Sequence, residues 1–195
     1  IAGNIRLEGA ASKCNITGGT ISGGVAVQQG GNIVVRNSAN EVIISGATIS
    51  GGVSQSSHGG NIYLVGITNN VTMENTTITG GTSASRAGNL YIAAANGAKD
   101  VVATLTNCTI TDGTTGDRGG NVYIADVACT MNNCTVTGGS VVGTEENMIG
   151  ADLYGANIAT NTGNHATALT INGGTYGGYG ENNLALTSVH ILSSD

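Results

Sequence analysis

Hydrophobic and polar positions alternate with period two in short runs along most of this chain, and the runs themselves recur. The stretch GGNIYL at 59–64 returns as AGNIRL from Ala2, GGNIVV from Gly30, AGNLYI from Ala87, GGNVYI from Gly119 and GADLYG from Gly150. Taking the Asn or Asp of this motif as a phase marker gives Asn4, Asn32, Asn61, Asn89, Asn121, Asp152 and Asn183, at gaps of 28, 29, 28, 32, 31 and 31 residues. A fixed period of about 30 residues marks a solenoid, in which each repeat forms one turn of a coil.

Each repeat carries three apolar segments too short and too β-branched for helices, and their alternation predicts strands. The first puts pairs such as Ile33 and Val35, Ile62 and Leu64, and Leu90 and Ile92 on one face; the second does the same with Val42 and Ile44, Val71 and Met73, and Ala103 and Leu105. The third follows a short corner and contributes Ile21, Ile49, Ile78, Ile110, Val136 and Tyr176. One such coil cannot bury its apolar face, whereas coils stacked at about 4.8 Å share a continuous core. The expected fold is therefore an all-β parallel β-helix: one domain over residues 1–195, about six to seven coils of 28–32 residues, three strands per coil. Glycine pairs such as Gly51 and Gly52 belong at corners that demand positive φ or close backbone approach. The row Asn4, Asn32, Asn61, Asn89 and Asn121 is expected to pass amide hydrogen bonds from coil to coil, with Asp152 breaking it. AGNIRL begins at the second residue and LALTSVHILSSD (184–195) stays strand-like. Both ends are thus expected to lack a cap, so that coils continue in a longer chain or by end-to-end stacking.

The repeated GGNIYL…VTMENTTITGG pattern resembles the right-handed parallel β-helix repeats of large bacterial surface and secreted proteins, over essentially the whole chain. The resemblance implies a right-handed coil and an extracellular or cell-surface location. It covers adhesins, stalk and passenger domains and polysaccharide-cleaving enzymes alike, so it does not choose among them.

Composition narrows the partners. Six Lys and Arg against twelve Asp and Glu leave a net charge of −6, which offers no basic surface for nucleic acid. No apolar run reaches the length of a membrane span, so membrane insertion is not expected. With 33 Gly, no Pro, no Phe, no Trp and 9% charged residues, the chain is regular and repetitive rather than built on a conventional aromatic core.

The candidate chemistry is sparse. Acidic residues fall in different phases of the repeat, and only Asp112, Asp117 and Asp126 with Arg118 form a dense group; a non-catalytic chain without cofactor is expected. Cys108 and Cys134 fill the same slot of consecutive coils, where a disulfide is permitted by separation but disfavoured by parallel Cβ vectors, and are expected as stacked buried thiols, with Cys129 in the neighbouring row. His58, His165 and His190 occupy different phases and are expected on surface loops, so no metal site is implied. Two outward rows are more informative. Tyr63, Tyr91, Tyr123 and Tyr154 line up as a stripe that either stacks on sugar rings or a protein partner, or simply stacks on itself across strands. The third strands present Thr20, Thr48, Thr77, Thr79, Thr109, Thr111, Thr135 and Thr137 as two ranks. These ranks are similar to the Thr-x-Thr faces of insect antifreeze proteins, yet threonine is also the ordinary residue for the wet side of a strand. The reading that joins these features is a structural or adhesive stalk, adhesin segment or filament subunit, with ice binding on the Thr ranks as the alternative and a carbohydrate-binding or polysaccharide-cleaving β-helix third.

Overall fold

The computed structural model describes residues 2–9, 12–37, 39–96, 98, 100–143, 150–156, 167–177 and 189–191. It is a parallel β-solenoid with no helix among the described residues. Three sheets run along its axis. The first has seven strands: Ile5–Glu8, Ile33–Arg36, Ile62–Ile67, Leu90–Ala94, Val122–Ala125, Leu153–Ala156 and Val189–Ile191. The second has ten and two limbs. One limb stacks Ser12–Thr17, Ala39–Ser45, Asn70–Glu74 and Val102–Thr106, the other stacks Thr20–Ser22, Thr48–Ser50, Thr77–Thr79 and Thr109–Thr111, and Ala128–Thr137 runs through both, with Ala168–Tyr176 on top of it.

The third sheet departs from the three strands per coil that the alternation predicts. A two-residue strand follows each glycine corner: Val25–Ala26, Val53–Ser54, Thr82–Ser83, Thr114–Thr115 and Ser140–Val141 form a five-stranded sheet. Two residues are too few to show a period, which is why the pattern along the chain does not reveal them. The coil count differs as well. The described residues complete about five turns rather than six to seven; Leu153–Ala156 and Ala168–Tyr176 belong to a sixth turn, Val189–Ile191 to the next, and Asn183 lies outside the described residues.

Register explains why the core is continuous. Ile5 pairs with Ile33, Ile33 with Ile62, Ile62 with Leu90, Leu90 with Val122 and Val122 with Leu153, so like residues stack from coil to coil. From Leu7 to Tyr176 the interior rows merge into one largely aliphatic cluster. Burial is shared between neighbours: Ile33, Ile62 and Ile78 are fully buried, whereas Ile5 at 36% and Ile171 at 41% are exposed in the outermost described coils.

The corners follow from backbone sterics. Gly51 has φ 61°, a conformation that costs most side chains about 1 kcal/mol or more. Gly52 is excluded from bearing a side chain for a different reason, since a Cβ there would stand 2.8 Å from Asn61 Oδ1 and 2.9 Å from Asn32 Nδ2. The corner between the two limbs admits asparagine in place of glycine, and Asn75, Asn107 and Asn133 take it at φ 49°, 52° and 51°.

Candidate functional site

The motif asparagines form a hydrogen-bonded ladder at the core's edge. Asn61 Oδ1 accepts from Asn32 Nδ2 at 2.7 Å and from the Gly52 amide at 2.8 Å; its Nδ2 donates to Asn89 Oδ1 at 2.7 Å and to the Thr79 carbonyl at 2.9 Å. Two donors and two acceptor bonds use the whole capacity of a buried amide. Asn4 at one end donates to Asn32 at 2.7 Å, and Asn89 donates to Asn121 at 2.7 Å. Asp152 does not break this row, contrary to expectation. Its Oδ1 accepts from Asn121 Nδ2 at 2.9 Å and from the Gly139 amide at 2.8 Å, because aspartate shares asparagine's acceptor oxygen.

The tyrosine stripe is outward of the aliphatic interior, as the alternation requires, but it is not open to solvent. Tyr63, Tyr91, Tyr123 and Tyr154 are only 6%, 4%, 3% and 2% exposed and pack with Val34, Ala87, Ala93 and Ala125 as a second buried cluster. Their rings stack at centroid distances of 5.0, 5.1 and 5.3 Å, the central pair within 2° of parallel. The turn before each motif folds over them. His58 stacks on Tyr91 at 5.1 Å, Arg86 lies 5.1 Å from the Tyr123 ring centre and Arg118 lies 5.4 Å from that of Tyr154. These three residues occupy one phase, three positions before Asn61, Asn89 and Asn121, and that shared phase is the sequence signal that could have identified the cover.

The electrostatics of this cluster favour cohesion over reactivity. Burial pushes Tyr91 and Tyr123 up to about 12, so their phenols stay protonated across the physiological range. Burial first, and Arg86 second, lowers His58 to about 4 and keeps the imidazole neutral. His58 is thus a half-buried stacking partner rather than the surface loop residue expected of it. Asp117 joins the cover by pairing with Arg86 at 3.3 Å and Arg118 at 3.5 Å. Asp112 and Asp126 stand at other corners, at φ 58° and 55°, so the structure separates the acidic group that looks dense in sequence.

The Thr ranks are the open surface. Thr77, Thr109 and Thr135 are in register, as are Thr79, Thr111 and Thr137, and Thr79 Oγ1 lies 3.0 Å from Thr111 Oγ1. Thr20 and Thr48 are exposed and the other six are half-buried. A third rank, Thr72, Thr104, Thr130 and Thr170, runs in register along the other limb of the same sheet. It is hard to see in sequence because Asn15 and Ile43 open that row.

The cysteines add no chemistry of their own. All four are free and buried, Cys108 and Cys134 at 1% and 0% exposed in adjacent coils. Their mutual hydrogen bond raises Cys108 and lowers Cys134, while burial raises both; for thiols this enclosed, burial governs and keeps them protonated. Burial likewise pushes Cys129 up to about 12. Among the described residues no three His, Cys, Asp or Glu side chains come together to hold a metal ion, and no helix is long and apolar enough to cross a membrane. No family model, curated protein or solved structure matches the chain. The parallel β-solenoid itself therefore carries the functional argument, and it is compatible with structural or adhesive roles.

Proposed function

We propose that this chain is a rigid, non-catalytic segment of an extracellular structural or adhesive β-solenoid, a stalk whose contact surface is the threonine-rich sheet. The observation that supports it is axial continuity. The Asn ladder from Asn4 to Asp152, the four-tyrosine stack and all three sheets run in the same direction, so every coil interface is held on several faces at once. Bending or peeling one coil from the next has to break many bonds together, which is the property a spacer uses. The buried, protonated thiols suit an oxidising exterior, where exposed ones would react. The resemblance of the GGNIYL…VTMENTTITGG repeat to bacterial surface proteins supports the same location. The face for a glycan or protein partner moves from the tyrosines, whose rings are occupied by one another, to the Thr ranks.

The test is to expose the chain to a polysaccharide panel while following retention and product release separately. Retention without new reducing ends or unsaturated sugars is expected, and sustained product formation would overturn the reading. In-register Thr ranks also favour ice binding as a second reading. Thr79→Tyr with Thr111→Tyr would abolish ice shaping if those ranks were its source.

A further inference from the structure

The ladder contains an internal standard for its own last member. Every asparagine from Asn32 to Asn121 donates one Nδ2 hydrogen to the main-chain carbonyl that ends the second limb of its own coil: Ser50, Thr79, Thr111 and Thr137 in turn. Asp152 keeps both acceptor bonds of the series at Oδ1, so planarity of the group puts Oδ2 where asparagine carries its amino group. That oxygen belongs to a side chain with no exposure and has no hydrogen-bond partner among the described residues. By register Tyr176 pairs with Val136, which makes Gly177, at φ 117°, the positional counterpart of Thr137, so continuing the series assigns its carbonyl to the slot beside Oδ2. A carboxylate oxygen and a carbonyl oxygen repel there, whereas a carboxylic acid supplies the missing hydrogen.

We propose that Asp152 is a protonation-controlled latch: as the neutral acid it donates from Oδ2 to the Gly177 carbonyl and holds the limb Ala168–Tyr176 on the solenoid, and as the carboxylate it releases that limb. Burial raises its pKa to about 6, against the opposing pull of the Gly139 amide and the Asn121 amide. Among the described residues no charged side chain contributes to this shift. Among the described residues the charged groups on the elements packed nearby are Arg118, which lies over the Tyr154 ring, its partner Asp117, and Asp126 at the corner after Val122–Ala125. The following strand brings His190 into register with Tyr154. At the end of the limb the Tyr176 hydroxyl is also buried without a partner among the described residues.

A carboxyl whose pKa is raised in the closed state stabilises that state fully below its open-state value, about 4, and loses the contribution as pH climbs through its closed-state value of about 6. Opening of the limb should therefore rise roughly tenfold per pH unit between those limits, about 100-fold in all, and level off above them. Hydrogen exchange of the intact chain at pH 4 to 8, corrected for intrinsic rates, reads this directly in Leu153–Ala156 and Ala168–Tyr176, with Ile62–Ile67 as the unchanged internal reference. Asp152→Asn installs the residue present at the five preceding ladder positions and should hold the limb at its low-pH protection throughout. Identical pH dependence in the two proteins, or weaker protection in Asp152→Asn, would overturn the latch. Carbon-13 titration of the Asp152 carboxyl in the unaltered chain is an independent readout: a midpoint near 6 is expected, and one near 4 would overturn the latch as well.

Discussion

The molecule has two buried apolar regions that reach burial by different routes. The aliphatic interior is enclosed by the coil itself, and residues such as Ile62, Ile78 and Leu105 are fully buried because strands surround them on every side. The tyrosine stack lies on the outer face of the first sheet and becomes a core only because the turns carrying His58, Arg86 and Arg118 fold back over it. Alternation along a strand states which side chains leave the main interior. It does not state whether they meet water or another part of the chain.

The most severe way to break this arrangement lies between the two regions. Asn89→Leu would remove the acceptor of the Gly81 amide and of Asn61 Nδ2 and the donor to the Thr111 carbonyl and to Asn121 Oδ1. At roughly 1–3 kcal/mol for each buried unsatisfied group, the loss should reach about 4 kcal/mol or more in denaturant unfolding. In the interior, Leu105→Ala should cost about 3–4 kcal/mol by transfer and cavity formation. If the stack is a genuine second core, Tyr123→Ala should cost about 3 kcal/mol, close to the interior value. A cost near that of a surface change would reduce the stack to decoration.

Alkaline unfolding probes the stack through its phenols, while the interior titrates at buried thiols such as Cys129. Tyr91 and Tyr123 are raised to about 12 in the folded chain against 10 when unfolded, so their contribution is intact below pH 10 and is lost as pH rises toward 12. The loss amounts to about 2–3 kcal/mol per ring. Tyr123→Phe, nearly neutral at pH 7, should blunt it. Smaller still, Arg86→Met should cost about 1 kcal/mol through the lost ring contact. Thr104→Val, on the open sheet, should stay within about 0.5 kcal/mol.

Much of this is legible in the chain because two periods coincide. Period two fixes the interior faces of Ile33, Ile62 and Leu90, and the recurring Asn fixes the coil length and the ladder. The closed state of the tyrosines is legible only indirectly: the shared phase of His58, Arg86 and Arg118 marks residues for a cover, but where their turn lands is set by no local pattern. Nor are the two-residue strands such as Val53–Ser54, which have no period to detect. Asp152 marks a subtler limit: substitution at a repeat position suggests a break, yet half of the asparagine's hydrogen bonding survives in aspartate.

A stalk requires coils coupled along the axis strongly enough to act as a stiff segment. Pulling single molecules from residue 4 to residue 177 tests it most directly. Discrete rupture steps are expected, each releasing the contour of one coil, about 10 nm for some 30 residues at roughly 3.5 Å each. Smooth extension at low force without steps would contradict it.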